Sequence, residues 1–278
     1  MAKRPAEVFG HPIDVDSEEA KSHRKKYLCP FMGRRCDKQS RLIRYPMGVC
    51  SVQYGDQVIA LSPTRFLQDD LVFKDIADHY FKSRNEILVF SEVRLEDVGN
   101  FDFVMVKHKP LSSTIEDFVV VEFQTGQTTS TGKLVQALKE FMKGEQISGR
   151  TYGFGLNFAD IWKRSFTQIL NKGIVLEKWG QKIYWVVQEP VFQDLAHRYS
   201  LQDMDYNQTH STVFALYDLK RSGQRFELYR TRFLSSSTDS LFDAFRHNPN
   251  IPSKDAFVEK LVHRMKEGMA LKIKLAQG

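Results

Sequence analysis

Apolar positions along this chain fall into two kinds of run. Some are short, β-branched and aromatic. Others are longer and recur at helical spacing. Residues 118–124, Phe-Val-Val-Val-Glu-Phe-Gln, form the strongest strand pattern, bulky at consecutive positions and so expected to be buried on both faces. Residues 101–107 make a second strand, apolar apart from Asp102 and the closing Lys107, and a polar turn joins the two. Further strands are expected at 88–90, 183–187, 213–218 and 226–230, with a hairpin of 49–52 and 58–61 around a Gly-Asp turn. Helical spacing places Leu134, Leu138, Phe141 and Met142 on one face of 133–143, and Phe158, Ile161, Trp162, Ser165 and Ile169 on one face of 157–171. A helix is also expected over 67–85. Ser253 suits the N-cap of a closing helix through Phe257, Leu261, Val262 and Met265. Strands followed by helices predict an α/β protein, a mixed central sheet flanked by helices.

Residues 1–66 read differently. They are irregular, rich in Lys and Arg and poor in apolar runs, so they need either docking onto the rest or a metal to hold their shape. The expected organisation is a small metal-binding module over 1–66 and a larger body over 67–278. With 278 residues, 42% hydrophobic and 27% charged, the chain is globular rather than disordered or fibrous. No apolar run reaches the roughly 20 residues of a membrane span, and mean hydropathy is −0.39. The N-terminus lacks the apolar core of a signal peptide, so a cytoplasmic protein is expected.

Charge and cysteine placement sharpen the picture. The net charge is +6, and residues 1–44 hold 11 Lys/Arg against 6 Asp/Glu. A second basic run comprises Lys220, Arg221, Arg225, Arg230 and Arg232, opposed by Glu227. Clustered positive charge suits a polyanion, because each neutralised phosphate releases counterions; a merely solvated surface is the competing explanation. The three cysteines, Cys29, Cys36 and Cys50, are tightly clustered and odd in number, which favours a metal over disulfides. Three ligands leave a tetrahedral structural site open.

The candidate chemistry lies in the two central strands. Glu122 and Gln124 are two residues apart, so their side chains leave the same face of the strand. An acid in an apolar strand is costly to bury unless it is paired or binds a metal, and Asp102 poses the same problem in its own strand. If the strands pair, the two carboxylates approach and form a hard oxygen site suited to Mg²⁺ and to phosphodiester hydrolysis. Strand ends facing solvent, or carboxylates paired with nearby Lys or Arg, would explain the same residues.

Asp102-x19-Glu122-Phe123-Gln124 resembles the PD-(D/E)xK nuclease motif in the variant with Gln in place of Lys. Eight landmarks in order resemble NotI-type restriction endonucleases. The first five are Phe9-Gly10-His11, Cys29-Pro30-Phe31, Cys36, Gly48-Val49-Cys50 and Ser62-Pro63-Thr64-Arg65. Phe101-Asp102-Phe103, Val121-Glu122-Phe123-Gln124-Thr125 and Trp162-Lys163-Arg164-Ser165-Phe166 follow, so the resemblance covers about residues 9 to 170.

The resemblance implies a restriction-endonuclease-like fold and a homodimeric type II enzyme that cuts a GC-rich palindrome in double-stranded DNA with Mg²⁺. It assigns Asp102 and Glu122 as metal-binding carboxylates and Gln124 as the third motif residue, suited to orienting a water. It also implies an iron-binding Cys₄ site, or a zinc one, on Cys29, Cys36 and Cys50. The fourth cysteine falls on Ser62, a poor replacement for thiolate, so His11 or His23 is an alternative ligand. The spacing from Cys29 to Cys36 is also short for the family.

Other residues carry weaker signals. Trp162, Phe166 and Ile169 are expected in the core. Lys163 and Arg164, on the opposite part of their helix, are candidate phosphate contacts, and Arg65 is a candidate for a guanine edge. No His-x-x-x-His pair, P-loop or Gly-x-Ser-x-Gly elbow is present, which removes the common zinc-protease, NTPase and serine-hydrolase readings. A non-catalytic DNA-binding protein on a nuclease scaffold is the alternative function.

Overall fold

A computed structural model describes residues 1–269. The chain begins with strands β1 (Lys3–Val8) and β2 (His11–Pro12), helix α1 (Glu18–Lys26), short strands β3 (Leu28–Cys29) and β4 (Arg34–Arg35), and strands β5 (Val49–Tyr54) and β6 (Gln57–Ala60). These make an antiparallel sheet in the order β2-β1-β5-β6, with β3 and β4 paired separately. The expected hairpin around the Gly-Asp turn is β5–β6. Residues 1–66 therefore contain more regular structure than their composition suggests, and they dock. Val8, Phe9, Val49, Val52 and Ile59 are buried in one apolar cluster with side chains of the larger body.

The expected helix over 67–85 is interrupted. A 3-10 segment (Pro63–Asp70) precedes α2 (Leu71–Ile76), which runs into a π turn (Ala77–Phe81). Gln68 is extended, and Asp69 and Asp70 both have left-handed backbones, φ 54°, which an α-helix cannot accommodate. The break frees the Gln68 side chain to accept from the Leu228 N–H at 2.9 Å.

Strands β7 (Ile87–Leu95), β8 (Gly99–His108) and β9 (Ile115–Gln124) follow, then β10 (Thr128–Thr129), α3 (Thr131–Met142), β11 (Gly155–Leu156), α4 (Phe158–Gln168), a π turn (Ile169–Gly173) and α5 (Ile174–Lys178). The chain continues through β12 (Lys182–Gln188), α6 (Glu189–Tyr199), β13 (Thr212–Ser222), β14 (Arg225–Ser236), α7 (Thr238–Arg246) and α8 (Lys254–Lys266). The large sheet has the order β14-β13-β12-β9-β8-β7. Its centre, β9-β12-β13, is parallel, and both margins are antiparallel.

Period-two alternation sends alternate residues of the central strands to opposite faces. Val120, Trp185 and Phe214 face a cluster with α3, α4 and α6, whereas Val119, Val121 and Tyr184 face α2 and Phe66. The central strand β9 is thus buried on both sides, as its composition predicts. A close approach just after it requires glycine. A Cβ on Gly126 would lie 2.8 Å from Ile59 and 3.0 Å from the Ala60 carbonyl. Among the described residues, no helix is long and apolar enough to cross a membrane.

Candidate active site

Strands β8 and β9 form an antiparallel hairpin whose ladder ends at Phe103 opposite Val121. One residue further, side chains take over from the ladder. Asp102 Oδ2 accepts the Phe123 backbone N–H at 2.8 Å, and Glu122 Oε1 lies 3.4 Å from the Asp102 N–H. The two acids that interrupt their strands therefore meet. Among the described residues, no hydrogen-bond donor reaches Asp102 Oδ1 or Glu122 Oε2. Both carboxylates line an open cleft of about 880 Å³.

Glu122 is only 1% exposed. Burial, then the neighbouring Asp102, pushes its carboxyl up to about 7, an effect that Lys172 partly offsets. Asp102 is also raised by burial, against the pull of the Phe123 N–H and Lys172. Lys172 is itself buried in the π turn after α4. Its Nζ donates to Glu122 Oε1 at 2.7 Å and to the Asn100 carbonyl at 2.6 Å. Gln124, on the same face as Glu122, is bracketed from α4. The Ser165 hydroxyl is 3.0 Å from its Oε1, and Gln168 Oε1 is 3.0 Å from its Nε2.

Gln168 and Lys172 were not singled out from the sequence, and Ser165 entered only as a position on a helix face and within a family landmark, with no role at the site. Their signal is a polar stripe at i, i+3 and i+7 along the face that carries Ile161 and Ile169. Trp162 and Ile169 are buried as expected, and Phe166 is partly so, against Phe245. Lys163 and Arg164 are both exposed, and Arg164 lines the cleft. Arg34 and Lys38 line it as well, so part of 1–66 forms its wall.

Arg65 is a correction. It does not face DNA: it is fully buried, with Nε 2.9 Å from Glu7 Oε2 and its other nitrogens on Gln68 and the Phe226 carbonyl. A guanidinium far from the carboxylate in sequence gives no local sign of such a partner. The run from 220 to 232 is also largely neutralised in place. Arg221 pairs with Asp14, Arg225 with Glu227, Arg230 with Asp75 and Arg232 with Glu189.

The donor set at the carboxylates fits Mg²⁺: two acids with free oxygens face one cleft. The cysteines fit a metal poorly. Cys29 and Cys50 are buried and Cys36 is half-buried. Burial holds the Cys36 and Cys50 thiols up, toward the protonated form. Cys29 Sγ donates to Thr64 Oγ1 at 3.7 Å, and Ser62 Oγ spends itself on the same hydroxyl at 2.9 Å. The positive charge of Lys38, anchored on the Leu61 carbonyl at 2.7 Å, acts on Cys36 and Cys50. Three thiols, a hydroxyl and a nearby ammonium do not complete a tetrahedral iron or zinc site. His11 and His23, the alternative fourth ligands, pair instead with each other, Nε2 to Nδ1 at 2.8 Å.

A family model described as restriction endonuclease NotI matches residues 7–230. The match takes in Asp102, Glu122, Gln124, Lys172 and all three cysteines, and it continues well past residue 170, where the sequence landmarks end. No curated protein matches the chain.

Proposed function

This chain belongs to the NotI family of restriction endonucleases, and on that footing we propose that it is a type II enzyme that hydrolyses phosphodiester bonds in double-stranded DNA, with Mg²⁺, at a specific GC-rich palindrome. The observation that carries the reading is the meeting of Asp102 and Glu122 at the end of the β8–β9 ladder, with Gln124 beside them, on one open cleft. The restriction-endonuclease-like fold belongs to the same proposal. Its support is a mixed sheet in which an antiparallel hairpin bearing the acids continues into parallel β12.

Asp102 and Glu122 would hold the ion, which when bound polarises the scissile phosphate and makes water more acidic. Lys172 favours the ionised form of Glu122, which burial alone opposes. Gln124 neither carries charge nor takes a proton, so its part is to orient water by hydrogen bonding, with its amide steadied by Ser165 and Gln168. Arg34, Lys38 and Arg164 along the cleft would meet backbone phosphates. A second copy would supply the other half of a palindromic contact. The edge strand β7 offers Leu88, Val89 and Phe90, each 42–49% exposed, as apolar surface for it.

Digestion of plasmid or phage DNA with Mg²⁺ tests the proposal, and discrete fragments with mappable ends are expected. Glu122→Ala and Asp102→Ala should abolish cutting while leaving specific DNA binding within about tenfold, because they remove charge stabilisation rather than DNA contacts. Specific binding by the wild-type protein without any cleavage would instead support a non-catalytic DNA-binding protein.

A further inference from the structure

Away from the cleft, one group of ligand-type side chains is gathered closely. His11 Nε2, His23 Nδ1 and a Glu19 carboxylate oxygen all lie within 4.8 Å of one another. Glu19 and His23 stand four residues apart on α1, so they project from the same face of the helix. His11 comes from β2, a separate element.

Contacts that do not involve the three side chains fix both elements. Ser17 caps α1 by accepting the Ala20 N–H, and Ala20 is fully buried. Arg24 donates to the Val15 and Pro12 carbonyls, each at 2.7 Å, and so clamps α1 onto the segment that follows His11.

The 2.8 Å approach of two imidazole nitrogens requires that one ring offer a lone pair. Around a tetrahedral ion with metal–nitrogen bonds of about 2.0–2.1 Å, two nitrogens sit about 3.3 Å apart, so the pair need open by only about half an ångström. His11 and Glu19 also line a cavity of about 650 Å³, with Gly10, Ser17, Phe31 and Arg225, which leaves room for a water as a further ligand. Two imidazoles and one carboxylate suit a borderline cation such as Zn²⁺ and are a poor match for Mg²⁺, which prefers oxygen alone.

We propose that the N-terminal part of this protein binds a divalent transition metal on His11, Glu19 and His23, with water completing the shell, rather than on Cys29, Cys36 and Cys50. The ion ties β2 to α1 and stabilises the fold around them. The assignment does not depend on nuclease activity.

Co²⁺ is the probe that separates the two donor sets, because thiolate ligation gives an intense near-ultraviolet charge-transfer band and imidazole–carboxylate ligation gives only visible d–d bands. Full-length protein stripped with chelator is titrated with Co²⁺ in excess Mg²⁺, which occupies oxygen-only sites. Saturable binding of one equivalent is expected, with d–d bands and no charge-transfer band. Glu19→Gln, at an exposed position, should weaken Co²⁺ at least tenfold without loss of helical circular dichroism. His23→Ala should remove the bands, and Cys29→Ser should leave them unchanged. Zn²⁺ should displace Co²⁺ and raise the melting temperature of the wild type more than that of Glu19→Gln. A charge-transfer band lost in Cys29→Ser would overturn the proposal. So would the absence of saturable binding, or Co²⁺ affinity unaltered in a folded Glu19→Gln variant.

Discussion

Among the described residues, Arg65 and Lys172 are the two buried cations with buried carboxylate partners, and each is worth most when its removal is considered. Taking one member from a buried ion pair strands the other, at about 3–5 kcal/mol. Among the described residues, Arg65→Ala leaves Glu7 with only the Ser51 hydroxyl, Gln68 with only the Leu228 N–H as donor, and the Phe226 carbonyl without its side-chain donor. It should lower unfolding free energy by about that amount in urea titrations. Lys172→Met acts on the carboxyl instead. Without the ammonium, burial and Asp102 push Glu122 further toward its protonated form. Cleavage at neutral pH should fall about fivefold or more, since a rise of one unit from about 7 cuts the ionised fraction at pH 7 from about one half to about one eleventh, and the pH–rate profile should move to the alkaline side. A Lys172→Met enzyme with an unmoved profile would show that Lys172 only fills space. Asp102, Glu122 and Gln124 were legible because polar residues inside an apolar strand announce themselves. Lys172 was not, because one lysine on a helix is ordinary until the fold shows that it is buried. Arg65 misled for the complementary reason: its carboxylate partner comes from β1 and its carbonyl partner from β14, and Gln68 alone of its partners lies nearby in sequence.

Among the elements, the long apolar strands and the amphipathic helices could be read directly, since periodicity survives any tertiary arrangement. The 67–85 segment could not. Its break depends on two consecutive aspartates adopting left-handed backbones while Gln68 bonds to β14. What keeps the following π turn in place is partly His79. Its ring stacks on Phe233, with centroids 3.9 Å apart, and Nδ1 lies 2.8 Å from the Tyr184 hydroxyl. Burial, with the nearby positive charges of Lys82, Arg230 and Lys182, lowers its pKa from 6.5 to about 4. The unfolded chain therefore takes up this proton first as pH falls. The contribution is present in full above about 6.5 and is lost as pH drops toward 4. Allowing for solvent screening of a partly buried ring, the loss is on the order of 1 kcal/mol. Urea unfolding at pH 7.5 and 4.5 should show a smaller pH dependence in His79→Gln than in the wild type.

For the molecule as a whole, composition promised a polyanion binder, and the structure relocates the charge that can do the binding. Four of the arginines between 221 and 232 already have carboxylate partners; along the cleft, Arg34 pairs with Asp37 at the surface, Lys38 holds the Leu61 carbonyl, and Arg164 is exposed. If each cleft cation in a dimer neutralises one phosphate, log affinity should fall with log salt with a slope of about −5, at roughly −0.9 per phosphate. Arg164→Ala should reduce the slope by nearly two units per dimer, and Arg232→Ala should leave it almost unchanged; fluorescence anisotropy over a salt series measures both. A steeper slope that depends on Arg232 would return the 220–232 run to the DNA. Pairing across the molecule, such as Arg221 with Asp14, is what charge counting along a sequence cannot register.

Val8, Phe9, Val49, Val52 and Ile59 pack in the same apolar cluster as Val120, Leu134 and Trp185, and the segment that contains Arg34 and Lys38 walls the cleft holding the two acids. In evolutionary terms, a lineage of this enzyme has no clean seam along which to exchange its front for that of a relative. A recombined front would meet core side chains selected against a different partner, at a cost set by packing rather than by DNA recognition. If the cleft binds DNA as proposed, new target sequences would be reached most readily by substitution in place along its rim, where Arg34 and Arg164 are exposed, while the buried interface behind them stays as inherited.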